Sequence, residues 1–500
     1  MSTEAAASRR TPWRRQAAVL LVFLACHHPP EEKRVIFIGL DGADWQLLDR
    51  YMADGTMPNL ARIVRDGERR VLMTQHPPLS PLVWTTMMTG VGPLEHRILD
   101  FTRFNPATGE KEPITSDERR VPAVWNMLTE KGQRVDVFGM WATFPPEKVN
   151  GTIVSDRELS GSGNDPYQRM LQQTEGIHRR AMQTIERARP NLAIVYFQGT
   201  DVIGHLFASK PEHADDVRRY FARIDTILGD YAKQPAQLVI ASDHGFAWNE
   251  AAKIKVSSTA IATAAKWHRD EGILVVPKGA PACGRVDGIT PMLLEMLGLP
   301  RDVAIYSSAW RRGRQAGALV APQDANEQVA NLKALGYIGS SEASHAPAAY
   351  KGTRTAASYD NEALILRELG RDDEAIKAFD MALRIDPHSA SAMWNLSDLL
   401  HRKRVDLPRA NQLLDDAIAI DPSQPRWLTM RGRYRMEKHD CRGALDDFRH
   451  AQPLAGDDAI LFASIGTAQL CLGDEQAARA AFERSLAIDP NQPQLRSALH

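Results

Sequence analysis

Val35-Ile36-Phe37-Ile38-Gly39-Leu40-Asp41-Gly42 reads as a strand buried on both faces that ends on a carboxylate and a turn. An unbroken apolar run of this length, without polar alternation, belongs inside a sheet that is covered on both sides. The same signature recurs at Arg134 to Met140, Leu192 to Phe197, Leu238 to Ala241 and Ile273 to Val276. Between these runs lie helical patterns: Asp49 to Asp66, Pro122 to Lys131, and Pro291 to Leu297, the last closed by Gly298 and Pro300. Strands alternating with helices predict an α/β fold. A carboxylate at the carboxyl end of such a strand stands where α/β sheets carry their sites, so Asp41 is the first residue of interest.

The chain has 500 residues, too many for one ordinary core. A hydrophobic fraction of 43% with 25% charged residues fits a folded, water-soluble protein. The formal net charge of −1 supplies no global attraction for nucleic acid, so no nucleic-acid binding is expected. An anionic substrate needs a local device such as a metal. At the N-terminus, Arg9, Arg10, Arg14 and Arg15 precede a short apolar stretch, Ala17 to Ala25, too short to span a bilayer comfortably. It ends in Phe23-Leu24-Ala25-Cys26, which resembles a bacterial lipoprotein lipobox with Cys26 as the lipidated residue, although Phe23 replaces the usual Leu. The expectation is a signal peptide over residues 1–26, export across the inner membrane, and a periplasmic protein tethered to the membrane by a lipid anchor. Whether export is of the Sec or twin-arginine type is open. Cys283, Cys441 and Cys471 remain; Cys441 and Cys471 can pair, but buried free thiols are the expectation.

Residues 306–352 are rich in Gly, Ala, Ser, Arg and Gln and read as a linker with one short helix, Glu327 to Leu335. Beyond it three columns recur. Ala375, Ala410, Ala444 and Ala478 form the first, spaced 35, 34 and 34 residues apart. Phe379, Leu414, Phe448 and Phe482 form the second, and Ala382, Ala417, Ala451 and Ser485 the third. Small residues let paired helices approach, and the larger side chain fills the gap between hairpins. The pattern resembles the tetratricopeptide repeat and predicts a helical solenoid of about four units over residues 353–500, with a surface for a protein partner.

Four separated signals carry chemistry. Asp41 closes the first strand. Asp201-Val202-Ile203-Gly204-His205 follows the strand Leu192 to Phe197, and its Asp and His share one face of a helical turn. Ser242-Asp243-His244-Gly245 caps the strand Leu238 to Ala241, and His268 precedes the strand Ile273 to Val276. Each alone also fits an ordinary turn, cap or surface side chain. Together, three carboxylates and three imidazoles suit two divalent cations with positions left open for substrate. Ser80, in Pro77-Pro78-Leu79-Ser80-Pro81-Leu82-Val83-Trp84, adds a nucleophile that a metal can activate without a histidine base.

This order of motifs, including the Thr89-Gly90 pair ten residues past Ser80, resembles the type I phosphodiesterase / nucleotide pyrophosphatase branch of the alkaline-phosphatase superfamily. The resemblance covers residues 34–305 and implies an alkaline-phosphatase-like α/β/α sandwich. It implies two divalent metal ions, zinc first and manganese or iron as alternatives. Asp41, Asp243 and His244, with Ser80 bridging, would hold one; Asp201, His205 and His268 would hold the other. Ser80 is the implied catalytic nucleophile, with Thr85 and Thr86 as fallbacks inside the helix that follows. The implied activity is phosphodiesterase or phosphatase-type hydrolysis of a phosphate ester through a phospho-seryl intermediate. Val83 stands where the nucleotide pyrophosphatases have an asparagine, which weakens the case for nucleotides. Ser80-Pro81-Leu82-Val83-Trp84 lacks the sulfatase activation pattern. A phospho-group transferase of the same superfamily and a non-catalytic, lipid-anchored repeat scaffold are the competing readings; metal content separates the scaffold from the enzymes.

Overall fold

The computed structural model describes residues 33–159, 161–248, 267–307, 322–338 and 344–498. The signal peptide and lipid-anchor expectations, Cys26 included, fall outside the described residues. Among the described residues, no helix is long and apolar enough to cross a membrane.

A seven-stranded sheet forms the first part of the chain. Its strands are β1 (Val35–Leu40), β2 (Glu68–Met73), β3 (Val135–Phe138), β4 (Gly151–Val154), β5 (Leu192–Phe197), β6 (Gln237–Ala241) and β7 (Glu271–Val276), in the order β2-β7-β6-β1-β5-β3-β4. From β6 to β4 all neighbours are parallel, while β7 runs antiparallel to both β6 and β2. β1 is central, pairing with β5 and β6 along its length. Its residues alternate between two cores. Ile36, Ile38 and Leu40 join Tyr220, Phe221, Ile224 and Leu228 on one face. Val35 and Phe37 join Trp84, Met87, Met88, Met292 and Leu293 on the other. Two apolar faces, each covered by helices, make the sandwich, and they explain the unbroken apolar runs.

The expected helix at Asp49 to Asp66 is two, Trp45–Ala53 and Pro58–Asp66. The break falls at Asp54-Gly55-Thr56-Met57, where Gly55 takes φ +81° and Pro58 opens the next helix. The helix Ser80–Thr89 is buried on every side, as its apolar composition requires.

The second part contains four helical hairpins. They are Ala356–Glu368 with Asp372–Ile385, Ala390–Lys403 with Leu407–Ile420, Pro425–Glu437 with Cys441–Ala455, and Ala459–Cys471 with Glu475–Ile488, followed by Pro493–Ala498. All three recurring columns sit on the second helix of each hairpin and are buried. Facing them, Gly432 and Gly466 leave room for the rings of Phe448 and Phe482; a β-carbon would stand 2.4 Å and 2.5 Å from those rings. Cys441 and Cys471 form a disulfide with a Cα–Cα distance of 6.1 Å, which corrects the expectation of free thiols. Cys441 opens one helix and Cys471 closes its antiparallel neighbour, so the tight turn between them sets the two side by side.

The first hairpin packs directly on the α/β part. Thr355 Oγ1 donates to Asp100 Oδ2 at 2.5 Å, Asn361 Nδ2 donates to Leu99 O at 2.8 Å, and Arg97 pairs with Glu362 at 2.9 Å. Ile365 shares an apolar cluster with Leu79, Leu82, Leu99 and Phe101. The segment expected as a linker contributes helix Pro322–Ala334 and the buried Leu332, Tyr337 and Ile338 to that cluster.

Candidate active site

The carboxyl ends of β1, β5 and β6 bring the chemical residues together. Asp41 N donates to Phe197 O at 3.1 Å, extending the β1–β5 pairing by one residue and fixing the carboxylate at the sheet edge. Gly42 adopts φ +61°, and a β-carbon there would lie 2.8 Å from Asp201 Oδ1. Only glycine lets the two carboxylates approach. Gly42 N in turn donates to Asp243 Oδ1 at 3.2 Å. Asp201 stands in the first turn of helix Gly199–Phe207, whose positive end favours a carboxylate. One turn later His205 Nε2 lies 3.4 Å from Asp201 Oδ2. His244 Nε2 is 3.4 Å from both Asp41 Oδ1 and Asp243 Oδ2. His268 Nε2 is 3.5 Å from Asp201 Oδ1 and 3.2 Å from His205 Nε2, and its ring stacks on His244 with centroids 3.6 Å apart. Ser80 is the first residue of its buried helix, and its hydroxyl donates to Asp41 Oδ1 at 3.2 Å. The structure thus gathers all seven residues singled out in the sequence.

The tautomers show what the cluster lacks. His244 Nδ1 faces Gly245 O at 3.0 Å and His268 Nδ1 faces Pro78 O at 2.8 Å. A carbonyl only accepts, so both Nδ1 atoms carry a proton, and in the neutral His244 ring the Nε2 lone pair points into the carboxylates. Asp201 Oδ1, Asp243 Oδ2 and His244 Nε2 are buried without a hydrogen-bond partner. Burial raises the pKa of Asp41 well above the usual carboxylate range, and the charges of Asp243 and Asp201 add to it. Burial also lifts Asp243, to about 7. Burial pushes Asp201 up too, but His205 and His268 outweigh it and hold its carboxyl well below its ordinary value. Burial, and then the neighbouring His268, hold His244 well below its ordinary pKa, so its ring is neutral. Acceptors converging without donors, and acids crowded beyond their ordinary ionisation, are the donor set a cation satisfies. Among the described residues, two trios have ligand atoms close enough to hold an ion: Asp201, His205 and His268, and Asp41, Asp201 and His244.

Two residues of the site were not anticipated. Tyr196 donates to Asp41 Oδ2 and accepts from Trp141 Nε1 at 2.7 Å. Its hydroxyl is the one side-chain polar group in the run Leu192–Phe197, which was a readable signal. Tyr337 donates to Asp201 Oδ2, with its ring 4.5 Å from Phe101 and 5.0 Å from His205. It lies 136 residues along the chain from Asp201, in a stretch whose composition reads as linker, so no local signal pointed to it. The fallback nucleophiles are engaged elsewhere: Thr85 Oγ1 donates to Pro81 O at 2.6 Å and Thr86 Oγ1 faces His96 Nε2 at 3.0 Å. Val83 is fully buried in the core and offers the site nothing polar.

Comparison with known proteins finds two family models in this chain. The family model described as type I phosphodiesterase / nucleotide pyrophosphatase matches residues 35–336, and a tetratricopeptide repeat model matches residues 361–425. Among curated proteins, the general transcriptional corepressor ssn6 of Schizosaccharomyces pombe is 31% identical over 129 residues, which cover 25% of this chain. The chain spans only 12% of the length of that relative. Among solved structures, phosphonoacetate hydrolase from Sinorhizobium meliloti 1021 is 17% identical, covering 43% of this chain and 57% of that one, with a TM-score of 0.37. MamA from Desulfovibrio magneticus RS-1 is 17% identical, covering 29% of this chain and 80% of that one, with a TM-score of 0.27. The first match spans every strand of the main sheet, the six acidic and imidazole residues of the cluster and Ser80, and ends one residue before Tyr337. The chain therefore belongs to the type I phosphodiesterase / nucleotide pyrophosphatase family, a metal-dependent phosphoesterase type, and carries tetratricopeptide repeats behind that domain.

Proposed function

We propose that this protein is an exported two-metal phosphoesterase that hydrolyses phosphodiester or phosphomonoester bonds through a phospho-seryl intermediate on Ser80. The observation that carries the reading is the buried convergence of Asp41, Asp201, Asp243, His205, His244 and His268, with three unpaired acceptor atoms, around the Ser80 hydroxyl. Asp41, Asp243 and His244, with Ser80, suit one divalent cation; Asp201, His205 and His268 suit the other. The mixed imidazole and carboxylate donors favour zinc, with manganese or iron also compatible. When bound, the cations would stabilise charge on the oxygens around phosphorus and favour the ionised serine.

The chain's own residues do the rest. Asp41 fixes the Ser80 oxygen through their hydrogen bond, and the rigid helix Ser80–Thr89 holds it at a positive helix end, which favours a phosphoryl group. The Ser80 oxygen forms a bond to phosphorus as the ester oxygen departs with its organic group. Water then cleaves the serine phosphate, releasing the phosphoryl product and restoring the hydroxyl. Tyr196 and Tyr337 hold the carboxylates of Asp41 and Asp201 in place. The repeat array serves as a docking arm for a protein partner. Periplasmic residence on a lipid anchor at Cys26 completes the proposal; the Cys441–Cys471 disulfide supports an oxidising compartment.

The test is to count metals in the purified full chain and to compare turnover of bis(p-nitrophenyl) phosphate and p-nitrophenyl phosphate. Ser80→Ala is expected to lower turnover more than about 10³-fold while retaining its metals. A Ser80→Ala protein with full turnover removes the nucleophile, and a metal-free chain with undiminished turnover removes the two-metal reading.

A further inference from the structure

Beside the metal-type cluster, along the same carboxyl edge of the sheet, lies a cavity of about 190 Å³. Gly139 after β3 and Gln198 after β5 line it, as do Leu332 of helix Pro322–Ala334 and Leu335 just past its end. Resting on the phosphoesterase reading above, we propose that this cavity receives the organic group of the substrate. That group is a compact, largely apolar ring with a polar or anionic edge, rather than a nucleoside.

Position is the first argument. Tyr196 belongs to both places: it lines the cavity, while its hydroxyl bonds to Asp41. Val202 and Leu206 line the cavity from the helix that presents Asp201 and His205, each one residue further along. A phosphoryl group at Ser80 therefore has its neighbouring space only one side chain away. Crevices at the carboxyl ends of parallel strands are where α/β sheets bind their ligands.

The second argument is chemistry. Trp141, Met170, Ile177, Val202 and Leu332 make an apolar wall, and the Trp141 indole is held by its bond to the Tyr196 hydroxyl. Arg157 supplies the polar edge. It is only 7% exposed, donates through Nη2 to Pro113 O and Ile114 O, and lies over the Phe144 ring at 4.6 Å. Among the described residues it makes no ion pair. The neighbouring Asp156 spends one oxygen on Phe144 N, at 3.1 Å. A guanidinium in the cavity wall favours a ligand that carries an acceptor at its edge.

Size is the third. An engineered apolar cavity of about 150 Å³ holds benzene. The space here accepts one ring with a substituent, not the linked base and sugar of a nucleoside. Val83, sealed in the core, likewise leaves the site without the polar group that the nucleotide pyrophosphatases place at that position.

The test uses the full, metal-loaded chain and three esters that release the same p-nitrophenol: p-nitrophenyl phenylphosphonate, thymidine 5′-(p-nitrophenyl phosphate) and methyl p-nitrophenyl phosphate. The phenyl ester is expected to exceed the thymidine ester in kcat/KM by at least tenfold. Met170→Trp, which fills the cavity from its far wall, should raise KM for the phenyl ester tenfold or more. It should leave the metal content unchanged. Ile177→Phe is the second filling variant, should the first not fold. Preference for the thymidine ester, or an unchanged KM for the phenyl ester in a folded filling variant, overturns the proposal. Calorimetric binding of phenylphosphonate separates this outcome from failure of the phosphoesterase reading, because it needs no turnover. Binding by the wild type that weakens at least tenfold in the filled variant supports the cavity even if no ester is cleaved; equal binding by both overturns it.

Discussion

Replacing Tyr337 by phenylalanine removes one hydroxyl and nothing else. The ring stays 4.5 Å from Phe101 and 5.0 Å from His205, so packing is retained. Burial, followed by the charges of Asp201 and Asp41, pushes the Tyr337 hydroxyl far above its ordinary pKa, so it is a fixed donor. What is lost is one buried hydrogen bond to a carboxylate, worth about 1.5–3 kcal/mol. Asp201 Oδ2 is left with His205 Nε2 at 3.4 Å. If Asp201 is a ligand, that loss loosens the ligand and not the fold. At about 1.4 kcal/mol per tenfold, metal affinity should fall about 10- to 100-fold, the range typical for removing a group that orients a ligand. The assay is competitive titration of the metal-loaded chain with a chromophoric chelator, with the melting temperature followed in parallel by circular dichroism. Tyr337→Phe should weaken metal retention with little change in apo-protein melting, while Tyr337→Ala should lower both. Retention within twofold of wild type in Tyr337→Phe would refute the reasoning, since the hydrogen bond would then orient nothing.

Other expectations concern the scaffold. His96 is buried, its Nδ1 accepts from Ile98 N at 3.1 Å, and burial, followed by the charge of Arg119, holds its pKa at about 3. The unfolded chain binds that proton near pH 6.5, so the neutral native histidine contributes stability above pH 6.5 that is lost as pH falls toward about 3, at about 1.4 kcal/mol per pH unit. Urea unfolding at pH 7, 6 and 5 should therefore show a steeper loss for wild type than for His96→Gln; parallel losses would exclude the mechanism. Gly466→Ala places a β-carbon 2.5 Å from Phe482 and 3.1 Å from Ala478 O, so overpacking of about 1–3 kcal/mol should outweigh the helix-propensity gain of about 1 kcal/mol. An unchanged or higher melting temperature would show that the hairpin relaxes freely.

Much of this architecture was legible in the sequence because one physical cause wrote each signal. Strands covered on both faces must be apolar throughout, so β1, β5 and β6 announced themselves, and with them the edge where Asp41, Asp201, Asp243 and His244 meet. The repeat columns were equally plain, since each position packs against its counterpart. Edge strands β2 and β4 were not visible. β2 runs from three charged residues, Glu68-Arg69-Arg70, into three apolar ones and is largely exposed, and β4 is only four residues long. Strand direction was also hidden: β7 has the same apolar signature as its neighbours but runs opposite to them. Contacts made by distant chain segments, such as Tyr337 on Asp201 and Cys441 with Cys471, depend on tertiary placement that no local pattern encodes.

The seating of the first repeat hairpin has a practical consequence. Ile365 closes over Leu79 and Leu82, the residues bracketing Ser80, while Thr355 and Asn361 bolt the same helix to the loop behind them. The array is therefore not a tail trailing on a string. Trimming it away before residue 356 would strip that greasy seam bare next to Ser80, and anything bound to the early repeats would be carried at a set distance and angle from the acidic and imidazole cluster, as a jig holds a workpiece to a drill.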